Sequence, residues 1–151
     1  MATIISHSAD ETVALGERWG RAASSGLVIG LSGDLGAGKT QLVKGLARGL
    51  GITARVHSPT FALVNIYAGG RLTLFHLDLY RLDTREQIAA AGLEEYLRPA
   101  GVTVIEWAER WFGEGGRQRA ETSSHPEPFR RVQFEVLNET ERRITYEDSG
   151  A

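Results

Sequence analysis

The sequence predicts an α/β fold whose mixed sheet has parallel strands at its centre and antiparallel strands at its margins. Three observations carry this. Two short continuous apolar runs, Leu27-Val28-Ile29-Gly30-Leu31 and Val102-Thr103-Val104-Ile105, have the composition of strands covered on both faces. Stretches of helical periodicity alternate with them, as at Leu42, Val43, Leu46, Ala47 and Leu50. Two pairs of strand-like runs joined by turn residues supply the antiparallel margins.

In chain order, Ser8-x-x-Glu11 is a capping box that opens a helix to about residue 23, with Val13, Leu15, Trp19 and Ala22 partly shielded. The first strand, 27–31, follows it and ends in a Gly-rich turn. The next helix carries its apolar stripe from Leu42 to Leu50 and stops at Gly51. Runs 61–67 and 72–79 flank Ala68-Gly69-Gly70, which reads as a hairpin turn. Thr84-x-x-Gln87 caps a helix reaching about Leu97, and Pro99-Ala100-Gly101 breaks it before the buried strand 102–105. Residues 113–128 collect Gly, Pro, Ser and charge and read as a mobile loop. Val132, Phe134 and Val136 then alternate with polar residues, a turn falls near Asn138-Glu139, and a last strand covers 143–146.

The chain's 151 residues fit one domain, 1–151, with a single core. No apolar run is long enough to cross a bilayer, so no membrane role is expected. The start, Met-Ala-Thr-Ile-Ile-Ser, lacks the form of a secretory signal and there is no cysteine, which points to a reducing cytoplasm. A net charge of −2 supplies no global field for nucleic acid, so RNA would be met through a partner or a local patch.

Between the first strand and the amphipathic helix lies Gly33-Asp34-Leu35-Gly36-Ala37-Gly38-Lys39-Thr40, the spacing of a phosphate-binding loop in the context that loop requires. Its glycines let successive N–H groups converge on an anion, and the helix N-terminus adds partial positive charge. Lys39, one of only two lysines in the chain, would reach the β- and γ-phosphates, and the Thr40 hydroxyl would ligate Mg²⁺. The motif sharpens the expectation to a three-layer fold of the P-loop NTPase type.

Such a site calls for an acid at the end of a buried strand. Glu106 ends the run 102–105, and Asp78 lies near the end of the run 72–79. Burying Glu106 would be costly without a cation, yet either acid could equally be a solvated strand-end carboxylate or an arginine partner. His76 shares a strand face with Asp78; a hydrogen-bonded core histidine is the favoured reading over a His-Asp metal pair. Trp107 could fill the core or wall the phosphates, and the Ser58-Pro59-Thr60 hydroxyls could be turn groups or meet the γ-phosphate as a switch.

Together, the phosphate loop, Ser58-Pro59-Thr60-Phe61, His76-Leu77-Asp78-Leu79-Tyr80-Arg81-Leu82 and Glu106-Trp107 resemble the TsaE family, formerly called YjeE. The blocks have that family's order and approximate spacing across residues 10–107. After the first, the combination is specific rather than any one block. The resemblance implies a Mg²⁺-dependent P-loop ATPase of bacterial tRNA threonylcarbamoyladenosine biosynthesis, weak alone. It would work with TsaD and TsaB when threonylcarbamoyl is placed on N6 of adenosine 37, and would meet tRNA only through that complex. ATP hydrolysis would serve the multi-turnover cycle rather than form the bond. By position, Gly33 and the stretch Gly36, Ala37, Gly38, Lys39, Thr40 and Gln41 hold phosphates. Thr40 and Glu106 become Mg²⁺ ligands, Asp78 acts at or near the metal, Thr60 is a switch residue and Trp107 lies beside the site. Three departures from the family pattern stand out: Ala108 follows Glu106-Trp107 where proline is common, the 113–128 loop is long, and Thr140-Glu141-Arg142-Arg143 replaces the family's Gly-Arg segment, where the resemblance implies a nucleotide-contacting arginine.

Two other classes use the same loop. A small-molecule or nucleotide kinase could recruit Arg117, Arg119, Arg130 or Arg131 as a lid. A nucleotide-gated scaffold would use ATP to order residues 58–61 with turnover incidental. A GTPase lacks support, because no Asn-Lys-x-Asp segment is present.

Overall fold

The structure is a computed structural model that describes residues 1–34, 36–57, 63–113, 126 and 128–149. Its strands are β1 (Ala2–Ser6), β2 (Val28–Ser32), β3 (Val64–Tyr67), β4 (Leu74–Asp78), β5 (Val102–Glu106), β6 (Phe129–Val136) and β7 (Arg142–Ser149). They form one sheet in the order β1-β7-β6-β2-β5-β4-β3. The four central strands, β6, β2, β5 and β4, pair in parallel, while β7, β1 and β3 add antiparallel edges. The predicted mixed sheet is therefore the observed one.

Helices cover both faces and make three layers. On one face, α1 (Ala9–Ala22) and α2 (Lys39–Gly49) set Leu15, Trp19, Leu42 and Leu46 against Ile29, Leu31, Val104 and Val132. On the other, α3 (Arg85–Ala90), a 3-10 turn (Leu93–Leu97) and α4 (Glu109–Phe112) set Ile88, Leu93 and Phe112 against Val28, Leu77, Ile105 and Phe129. Every residue of β2 and β5 is buried, which is what continuous apolar runs of a doubly covered sheet require. Leu42 and Leu46 are fully buried, each worth roughly 1.5–3 kcal/mol of transfer free energy.

Helices α1 and α2 touch backbone to backbone. A Cβ on Gly45 would lie 2.1 Å from the Val13 carbonyl oxygen, and one on Gly49 would lie 2.2 Å from that of Glu17. Gly16 and Gly20 return the contact, at 2.3 Å from the Leu42 oxygen and 2.5 Å from the Leu46 oxygen. Two Gly-x-x-x-Gly steps thus press α1 against the helix that carries the phosphate loop.

Several boundaries differ from the expectation. Ala2–Ser6 is a strand ahead of α1, paired with β7, where none was expected. In α1 the capping bond from Glu11 to Ser8 forms, but Ala22 is exposed and Ala23 is the buried residue. The helix expected to run to Leu97 is split, because Gly92 takes φ 72° and breaks α3 from the 3-10 turn. β6 begins three residues before Val132, at Phe129, and β7 extends to Ser149. Arg130 hides that start: its guanidinium pairs with Asp148 at 2.6 Å and lies 4.6 Å from the Trp19 ring centroid, so a charged residue occupies a strand position. Most of the 113–128 segment lies outside the described residues, as do Leu35, Arg117 and Arg119.

Candidate functional site

The site forms where β2, β4 and β5 end together. β2 runs out at Ser32, and the chain turns through Gly33 at φ 144°, where a Cβ would meet Phe134 at 2.8 Å. Gly36 and Gly38 also take positive φ, 80° and 102°, and Gly38 is the N-cap of α2 without a side-chain cap. The first intrahelical bond runs from the Leu42 N–H to the Gly38 oxygen at 3.2 Å. Helix α2 thus begins at the loop, and Lys39, Thr40 and Gln41 of its first turn line the cavity.

Lys39 is 5% exposed and folds back over its own loop, its ammonium donating to the Gly33 carbonyl and, at 3.2 Å, to that of Asp34. The Trp107 ring lies 3.8 Å from the same nitrogen. Burial pushes the lysine's pKa down, opposed by the negative charges of Glu106, Glu109, Asp78 and Asp34. Trp107 reaches this place because its backbone turns at φ 63° directly after β5, an unusual value for a bulky residue.

Glu106 is 4% exposed and its carboxylate is held from two sides. The Thr40 hydroxyl donates toward it at 3.2 and 3.3 Å, and His76 Nε2 lies 2.6 Å from Oε2. The Thr40 hydroxyl and His76 satisfy the buried carboxylate and the Lys39 charge interacts with it, so its burial does not by itself call for a metal ion. Asp78 stands opposite Glu106 in the parallel register of β4 and β5. It accepts the Tyr80 N–H at 2.9 Å, and burial, then the charge of Glu106, pushes its carboxyl pKa up against that bond. Side by side, a hydroxyl and two carboxylates make a hard oxygen set that suits Mg²⁺ completed by water and phosphate oxygens.

The structure brings together Gly36, Ala37, Gly38, Lys39, Thr40, Gln41, Asp78, Glu106 and Trp107 around one cavity of about 600 Å³. Gly33 stands at the base of the loop. Thr60, with Ser58, Pro59 and Phe61, lies outside the described residues. His76 is fully buried and bonded to Glu106, as a core histidine rather than half of a His-Asp pair. Among the described residues no group of three or more His, Asp or Glu side chains is arranged to hold a metal on its own.

Part of the cavity lining, His7, Ser8 and Thr12 above all, is not legible in the sequence. His7, Ser8 and Thr12 form one wall, and Glu139, Thr140 and Arg142 form another. Arg142 Nη2 donates to the Gly36 carbonyl at 3.3 Å, which settles which arginine of 140–143 faces the loop; Arg143 pairs with Glu135 at 2.6 Å. His7 Nδ1 meets Glu141 at 2.6 Å and ties the two walls. Arg131 donates to the Gly113 carbonyl at 3.0 Å, and neither it nor Arg130 lines the cavity.

A family model described as threonylcarbamoyl adenosine biosynthesis protein TsaE matches residues 6–144. The chain belongs to the TsaE family. It is 43% identical over 141 residues to the tRNA threonylcarbamoyladenosine biosynthesis protein TsaE of Treponema pallidum, covering 93% of this chain and 96% of that one. The protein of the same name from Synechocystis is 49% identical over 102 residues, 62% of this chain and 64% of the other. Among solved structures, that of Bacillus subtilis YdiB superposes with a TM-score of 0.75 at 33% identity, covering 99% of this chain and 86% of that one. No helix among the described residues is long and apolar enough to cross a membrane.

Proposed function

We propose that this TsaE chain binds Mg-ATP in the 600 Å³ cavity and hydrolyses it as the ATPase of tRNA N6-threonylcarbamoyladenosine synthesis. In this reading it works in the cytoplasm with TsaD and TsaB and meets tRNA only through that complex. The observation that carries the nucleotide reading is that Glu106, 66 residues from Thr40 in sequence, meets the phosphate loop at one cavity. The first-turn amides of α2, the Lys39 ammonium and the Thr40–Glu106 pair all border one cavity. Family membership carries the tRNA part.

The residues divide the work. Loop amides and Lys39 take the phosphate oxygens, the ammonium exchanging its bonds to the Gly33 and Asp34 carbonyls for them. Thr40 and Glu106 would hold Mg²⁺, which when bound neutralises charge on the β- and γ-phosphates. Asp78, opposite Glu106 in the strand register, acts at or near the metal. Trp107 covers Lys39 and keeps bulk water from it. The nucleoside extends toward His7, Thr12 and Arg142, which line the same cavity.

Phosphate release measured with and without a TsaD and TsaB pair plus tRNA tests the assignment. Stimulation by the partners is expected. Turnover indifferent to them, or phosphoryl transfer to a small acceptor, would overturn it in favour of a kinase.

A further inference from the structure

We infer that His76 is a positioning residue that holds the Glu106 carboxylate in the orientation the metal reading requires; the inference rests on that reading. The Glu106 side chain has three rotatable bonds and, among the described residues, two hydrogen-bond partners. One is the Thr40 hydroxyl, at 3.2 and 3.3 Å, a group that would itself turn to the cation. The other is His76 Nε2, at 2.6 Å from Oε2. A carboxylate only accepts, so Nε2 carries the hydrogen of that bond. The imidazole thus pins Oε2, which the Thr40 hydroxyl also approaches at 3.2 Å, and with it the direction of Oε1, 3.3 Å from the same hydroxyl. Hydrogen bonds of this kind fix the direction of a metal-binding carboxylate.

The placement of the imidazole argues against a purely structural role. His76 sits in the middle of β4, opposite Val104 and two residues before Asp78, fully buried. Its second nitrogen, Nδ1, has no hydrogen-bond partner among the described residues. A buried polar atom left unpaired costs stability. An apolar side chain would pack there without that cost, so the use of histidine lies in its one bond, to Glu106.

The test compares His76→Leu, which removes the donor, with His76→Gln, whose amide N–H can reach the same oxygen. ADP affinity is measured by calorimetry in EDTA and across a Mg²⁺ titration, after thermal melts confirm folding. His76→Leu is expected to keep its EDTA affinity within about two-fold while the Mg²⁺ needed for half-maximal effect rises roughly 10–100-fold. His76→Gln is expected to recover most of that loss. If both variants respond to Mg²⁺ as the wild type does, or if leucine and glutamine lose affinity equally in EDTA and in Mg²⁺, the inference fails while the metal site stands. A wild-type protein whose affinity ignores Mg²⁺ would remove the metal site and the inference together.

Discussion

Glu106 and Asp78 are neighbours in register, yet their surroundings separate their roles. Glu106 is bonded to His76 and Thr40, whereas the Asp78 carboxylate accepts the Tyr80 N–H and is penalised by burial and by Glu106. Glu106→Ala should leave nucleotide affinity in EDTA near the wild-type value and abolish Mg²⁺-dependent phosphate release. Full activity in that variant would end the ligand assignment. Because the folded-state pKa of Asp78 is raised above 3.8, its charged form costs the fold stability at neutral pH. Asp78→Asn, melted in EDTA, should therefore be more stable than wild type at pH 7. The gain should shrink as pH falls through the raised value toward 3.8. An equal difference at both ends of that range would show that the Asp78 charge is not what burial penalises. At this scale the loop residues are legible, because phosphate chemistry places its glycines, lysine and threonine contiguously. The bond from His76 to Glu106 is not, since 30 residues separate its ends and only strand pairing joins them.

The phosphate loop is only as fixed as α2, and α2 is fixed by its glycine contact with α1. Gly45→Ala drives a methyl into the Val13 carbonyl at 2.1 Å, backbone that cannot swing aside. A loss of about 1–3 kcal/mol is expected from the denaturant midpoint, as for other overpacked sites. An unchanged midpoint would show that the two helices separate freely. The spacing of Gly16 and Gly20 against Gly45 and Gly49 is visible in the sequence, but which helix they meet is a tertiary fact. Edge strand β1 is hard to read for a related reason. Its exposure alternates over five residues and its pairing partner, β7, begins at Arg142. Short segments whose stability comes from a distant neighbour carry little local signal. The buried strands β2 and β5 are plain, since burial on both faces writes itself into consecutive residues.

Over the whole molecule, the ends of β4 and β5 meet the phosphate loop at one cavity, and residues just after β1 and around the β6–β7 turn line it as well. The turn after β6 brings Arg142 to the Gly36 carbonyl, 106 residues away. Sheet order, which sets β6 beside β2, is what places that arm, and no local pattern encodes it. A nucleotide bridging these elements should stabilise them jointly. Mg-ATP at 100 times its Kd should add about 2.7 kcal/mol, seen as a raised melting temperature. The most direct measurement of the central claim is a calorimetric titration of Mg-ATP into wild type and Lys39→Ala. Saturable single-site binding to wild type and its loss in a folded Lys39→Ala are the expected results. Equal affinity in both proteins would mean that this loop does not hold the phosphates.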